Sequence, residues 1–199
     1  MKAARACFAQ RGFAVTTNRD IADQAGVTAA AIYQYFDSKL ALYLATTREA
    51  VADVAAHMRA HIATDDSTAG SLRGIVLSLL ALHDADPSLT PFFAALRFEL
   101  QRNPEIAKAI KPDRDELLLA MTEVVQLGVG RGELLAADVP RVVAMFVTCV
   151  IGLSQLATLL EHEQFAEAVG AFAQLLEGSL FRTPKRRRKP SRTRRRPRT

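Results

Sequence analysis

An all-α fold follows from three features of this 199-residue sequence. Apolar residues recur at three- and four-residue spacing over long stretches, as in Leu72, Ile75, Val76, Leu79, Leu80 and again in Leu117, Leu118, Met121, Val124, Val125, the mark of one buried helix face. Prolines follow good capping residues, Thr90 before Pro91 and Asn103 before Pro104, and proline at a first helical position loses no hydrogen bond. No stretch alternates apolar and polar residues as a half-buried strand does. Eight or nine helices are expected.

The first helix presents Ala3, Ala4, Cys7 and Phe8 on one face and is expected to stop at Arg11-Gly12. Gly12 suits the left-handed position after a helix, with Phe13 folding back as its apolar contact. Thr17-Asn18-Arg19-Asp20 reads as a capping box opening a second helix that buries Ile21, Ala22 and Ala25. Gly26 permits a tight turn, Val27 plugs the angle, and Thr28 caps a third helix running from Ala29 to Phe36. Two short helices joined by a Gly-containing turn make a helix-turn-helix, over residues 17–36. On the third helix, Ile32 and Phe36 should face the core. Gln34 can then pair with adenine, Thr28, Ala29 and Ala30 can meet a thymine methyl, and Tyr33 and Tyr35 can donate to phosphates. Thr17 and Asn18 stand at a helix N-terminus, where free N–H groups favour a phosphate, and Lys39 adds a charge just beyond the reading helix.

A long helix from near Ser38 should join this head to the rest. Gly128, Gly130 and Gly132 end a later helix rather than cradle a phosphate, because they follow a helix and not a strand. Val142–Leu160 carries no charge over 19 residues, nearly enough to span a bilayer. Thr148, Ser154, Gln155 and Thr158 interrupt it and no basic cluster flanks it, so it reads as a helix buried on most sides, with no membrane partner. Phe165–Phe181 forms the last helix. Phe92, Phe93, Leu96 and Phe98, with Glu99 beside them, are an aromatic cluster; Phe92, Phe93, Leu96 and Glu99 are the candidates to line an apolar ligand cavity.

Charge divides the chain into three. Residues 1–48 carry +3, residues 49–181 carry −9, and residues 182–199 carry +11 with no acidic residue, so the overall +5 belongs to the tail. The domain expectation follows: a head at 1–48 that holds the helix-turn-helix, a helical body at 49–181, and a disordered basic tail at 182–199. With 49% apolar residues the rest of the chain can bury a core, which excludes a disordered protein. Cys7 and Cys149 form no CxxC pair or secreted framework, and Arg5 and Arg11 break any leading apolar run. Both features fit a reducing cytosol without a secretory signal.

Residues 17–36, Thr-Asn-Arg-Asp-Ile-Ala-Asp-Gln-Ala-Gly-Val-Thr-Ala-Ala-Ala-Ile-Tyr-Gln-Tyr-Phe, followed by Asp37-Ser38-Lys39 and Leu42 and preceded by Ala4, Phe8, Gly12 and Phe13, resemble the DNA-binding head of TetR-type transcriptional regulators. The resemblance implies a cytoplasmic homodimer, usually a repressor, bound to the nucleoid through a near-palindromic double-stranded operator and answering to a small molecule, here of unknown identity. It places phosphate contacts on Thr17, Asn18, Tyr33, Tyr35 and Lys39 and base readout on Thr28, Ala30 and Gln34. Ala30 and Ala31 replace the Gly and Thr common in the family, so base contact by the helix start is expected to be mainly apolar. The family's dimer interface falls on the last two helices, here on Phe146, Val150, Gly152, Leu156, Ala168 and Phe172. No cofactor, metal or catalytic residue is implied. Two alternatives come from other classes: a non-specific nucleic-acid binder driven by the tail, and a metal-dependent phosphohydrolase of HD type built on His57, His61, His83, Asp84 and Asp86.

Overall fold

The computed structural model describes residues 1–62 and 67–181, with the side chains of His61 and Ile62 outside that description; the basic tail from residue 182 also lies outside it. All regular structure among the described residues is helical. The head comprises α1 (Lys2–Val15), α2 (Asn18–Ala25) and α3 (Ala29–Tyr35), and α4 (Lys39–Ile62) leads into the body. The body comprises α5 (Thr68–Ala85), α6 (Leu89–Arg102), α7 (Pro104–Ala109), α8 (Lys111–Gly130), α9 (Val139–Leu156) and α10 (His162–Leu176).

Local chemistry sets the head. Thr17 accepts from the Asp20 N–H while Asp20 accepts from the Thr17 N–H, closing the capping box. Gly26 turns left-handed at φ 68°, and Thr28 caps α3 by accepting from the Ala31 N–H. Gly12 behaves differently from a simple helix stop. The chain continues to Val15 after a break at Gly12, whose φ of 74° and ψ of 169° lie in a region essentially reserved for glycine. Phe13 turns back as expected, its ring 5.0 Å from Tyr43 and 6.3 Å from Phe8.

In the body, α6 starts at Leu89, before Pro91, which therefore sits inside the first turn and not at its opening. Asp86 makes that start possible by accepting from the Ser88 N–H and hydroxyl. Asn103 caps α7 through the Glu105 and Ile106 N–H groups, ahead of Pro104. The helix before the glycine cluster runs through Gly128 and Gly130, and only Gly132 is left-handed, at φ 74°. Gly128 instead allows close packing: a Cβ there would lie 2.3 Å from both Leu134 Cδ2 and Thr68 Oγ1.

The uncharged run is helical only as far as Leu156, where α9 ends, and its last four residues, 157–160, form a turn. Nor is α9 buried on most sides. Val139, Val143 and Phe146 turn inward, but in the segment Ala136–Leu156, long and apolar enough to cross a membrane, only 22% of the most apolar 18-residue stretch is buried. Met145, Ile151 and Leu156 on α9 and Leu175 on α10 are exposed.

Candidate nucleic-acid interface and ligand cavity

The third helix carries a polar surface that none of the described residues covers. Tyr33 is 58% and Tyr35 81% exposed, with Gln34 exposed between them. Ile32 is buried and Phe36 half-buried against the core, so these two anchor the helix with its other faces free. At the N-terminal end Thr28 and Ala30 are exposed and Ala29 half-buried. Large tyrosines left in solvent cost apolar exposure, a cost that a partner surface would recover.

Two expected phosphate contacts are differently placed. Asn18 is 6% exposed, and both polar atoms of its side chain are buried without a hydrogen-bond partner, so its side chain does not present itself to a phosphate. Lys39 is already engaged: its Nζ donates to the Ala14 carbonyl at 3.1 Å and lies 4.7 Å from the Phe13 ring centre. Its charge therefore ties the end of α1 to the start of α4. Thr17 keeps an exposed side chain within its capping box. Asp20, which accepts from the Thr17 hydroxyl and N–H and from Arg11, is held below the usual carboxylate range chiefly by the Thr17 hydroxyl.

Between the middle helices lies a cavity of about 560 Å³, within the usual size for small-molecule sites, lined mostly by aliphatic and aromatic side chains. Phe93 and Leu96 line it, as expected from the sequence, together with Met58, Leu118, Phe146 and Val150. Phe92 and Glu99 do not. Adjacent residues on a helix point in different directions, and Phe92 is wholly buried against Tyr43, ring centres 5.8 Å apart. Glu99 faces the head, where its Oε1 accepts from the Phe13 N–H at 3.1 Å, the donor next to the break at Gly12. Thus α6 has one face in the cavity and another on α1. Burial, with the Glu99 charge as a smaller contribution, pushes the Tyr43 hydroxyl well above its ordinary value.

The interface residues also divide. Phe146 is fully buried within the chain and lines the cavity, so it cannot present a surface to a second subunit. Phe172 packs against it at 6.0 Å, Val150 is half-buried in the cavity wall and Ala168 is half-buried, whereas Gly152 and Leu156 are exposed. Sequence reasoning missed Arg97 and Arg114, which also line the cavity, and Arg5, which is 3% exposed and contacts Glu49, Asp53 and Asp86. A buried charge surrounded by carboxylates was not marked by any local pattern.

The proposed metal ligands are employed elsewhere. Asp86 pairs with Arg5 and holds Ser88, His57 Nδ1 lies 2.8 Å from the Asp53 carbonyl, and the His61 side chain lies outside the described residues. Among the described residues no group of three His, Cys, Asp or Glu side chains is placed to hold a metal. His83 contacts Thr90 Oγ1 at 3.2 Å and the Phe165 ring. Burial holds its imidazole below the ordinary histidine value, with His162 adding to the effect and Asp84 opposing it. The unfolded chain then takes the proton first, so the stability due to the neutral ring is complete above the ordinary value and is lost as pH falls through it. Urea unfolding is expected to show a lower midpoint at about pH 5.5 than at about pH 7.5, with a smaller difference in His83→Gln. An unchanged difference in that variant would exclude His83 as its source.

Comparison with known proteins finds likenesses to the head and to the fold as a whole. Residues 1–46 match the family model described as bacterial regulatory proteins, tetR family. The HTH-type transcriptional repressor KstR2 of Rhodococcus jostii is 31% identical over 86 residues, covering 43% of this chain and 42% of that protein. The HTH-type transcriptional activator FasR of Mycolicibacterium smegmatis is 36% identical over 74 residues, covering 37% and 34%. The chain thus matches less than half the length of either curated relative. Among solved structures, FadR of Bacillus subtilis in complex with stearoyl-CoA superposes with a TM-score of 0.74 at 21% identity, covering 90% of this chain and 96% of that one. FadR of Bacillus halodurans gives 0.69 at 20%, covering 87% and 90%. At such identities the likeness is one of fold, and it extends over head and body together.

Proposed function

We propose, on the premise that residues 1–46 are a DNA-binding head of the TetR family, that the protein is a ligand-responsive repressor acting as a cytoplasmic homodimer on a near-palindromic operator. The observation that carries this reading is the exposed Tyr33-Gln34-Tyr35 surface on a short helix whose other side is anchored by Ile32. Gln34 and Thr28 read base edges, the alanines allow close approach, and Tyr33, Tyr35, Thr17 and the backbone N–H groups at the start of α2 bind phosphates. Met145, Ile151, Leu156 and Leu175 supply an exposed apolar surface on α9 and α10, which a second copy would cover as obligate dimers do.

Effector response is supported by the cavity and by α6, which borders it on one face and touches α1 on the other. A molecule that fits the cavity better in one arrangement of the dimer shifts the population toward that arrangement, and so changes the spacing of the heads. That FadR of Bacillus subtilis was solved with stearoyl-CoA supports a long apolar ligand in this fold.

Selection of bound sequences from a random DNA pool tests the reading. The expected result is a palindromic motif with half-sites about 34 Å apart; recovery of unselected sequence would favour tail-driven, non-specific binding. Gln34→Ala is expected to lose about 1–3 kcal/mol of discrimination at one base pair per half-site while leaving the other positions intact. Competition binding with operators altered one position at a time measures it.

A further inference from the structure

We infer that the cavity takes an apolar chain ending in an anionic group, and that Arg97 and Arg114 hold that end. The inference rests on the reading of the cavity as an effector site and names the chemical class that fills it.

The lining is apolar apart from a few polar groups, and their partners decide the matter. Thr90 Oγ1 is taken by His83, the Ser154 hydroxyl donates to the Ile151 carbonyl, and the Asp115 carboxylate is paired with Lys111. Among the described residues three lining groups remain without a partner. They are the guanidiniums of Arg97 and Arg114 and the amide Nε2 of Gln155, which is buried with no acceptor. All three are donors and two are cations. A polar ligand group that satisfies them must be an acceptor, and an anion does so best.

The surroundings reinforce the point. Each remaining carboxylate in the first turns of α8 is neutralised from elsewhere, Asp113 by Arg48 and Glu116 by Arg59. The body as a whole carries −9, so two arginines without a carboxylate partner among the described residues, at the edge of this apolar cavity, run against the local trend. Both are exposed, which places them on the cavity rim, where the charged end of a ligand stays partly in water while its chain is buried. Burial of the chain supplies affinity, and the rim supplies selection by charge.

Isothermal titration with dodecanoate, dodecyl phosphate and dodecanol tests the inference on the full-length protein. Both anions are expected to bind about tenfold or more tightly than the alcohol, with the advantage shrinking at high salt because the rim is exposed. Arg97→Gln/Arg114→Gln is expected to abolish that advantage and leave dodecanol binding and the thermal midpoint unchanged; Arg97→Lys should keep part of it. A preference for dodecanoate alone or for dodecyl phosphate alone assigns the head group as carboxylate or phosphate. Equal binding of all three, or an advantage that survives the double substitution, overturns the inference while leaving the effector site standing. Failure of all three to bind protein that still binds its operator overturns the effector reading and the inference together.

Discussion

Arg5→Ala is expected to cost about 3 kcal/mol of folding stability, at the lower end for breaking a buried ion pair. The guanidinium is 3% exposed and lies 3.1 Å from Asp86 and 3.7 Å from both Glu49 and Asp53. Glu49 and Asp53 are 42% and 50% exposed, so water replaces much of what they lose. Asp86 is only 15% exposed. Its Oδ2 is within reach of Arg5 yet makes no aligned hydrogen bond, so the attraction is mainly Coulombic and its loss leaves a charge stranded. Much of the cost should therefore be recovered by adding Asp86→Asn. Urea unfolding of the two single variants and the double variant checks the pattern; a double variant no better than Arg5→Ala would show that the cost lies in packing and not in charge.

Phe146→Ala should cost about 3–5 kcal/mol, the usual loss for removing a large aromatic from a core. The ring is fully buried, packs against Phe172 and forms part of the cavity wall. A void opened there joins space that is already present, so the variant is also expected to bind branched chains more tightly, relative to straight ones, than the native chain does. Unfolding measurements give the first effect and titration with a straight and a branched chain the second. A variant as stable as the native chain would place Phe146 at a surface, where the family resemblance had put it as part of a dimer interface.

That contrast shows what could be read before the fold was known. Features closed within four residues were legible: the Thr17–Asp20 capping box, the left-handed Gly26 and the Thr28 cap all depend on neighbours in sequence. Together they define the helix-turn-helix and the exposure of Gln34. Helix phase in the body was not legible to the same degree. Phe92 and Phe93 are equally apolar, and only the position of Tyr43 decides which of them faces away from the cavity. In α9 nearly every position is apolar, so periodicity could not separate the inward Phe146 from the outward Met145. Asn18 looked like a surface residue because its type usually is one, yet its amide is enclosed. Arg97 and Arg114 lie on different helices, 17 positions apart, and no local spacing announces that they share a rim.

The Glu99 contact bears on how the head and body of this fold can be recombined. A head cut from this chain at the start of α4 and grafted onto another body would leave behind the carboxylate that receives the Phe13 N–H, and with it Asp86, the buried partner of Arg5. The acceptor for a backbone group freed at a glycine-only bend comes from a helix 86 positions away. Interchangeable parts require joints that are closed on each side, and this joint is open on both. A working chimera would have to transplant α1 together with the head-facing residues of α6, so the unit of exchange is larger than the three-helix head itself.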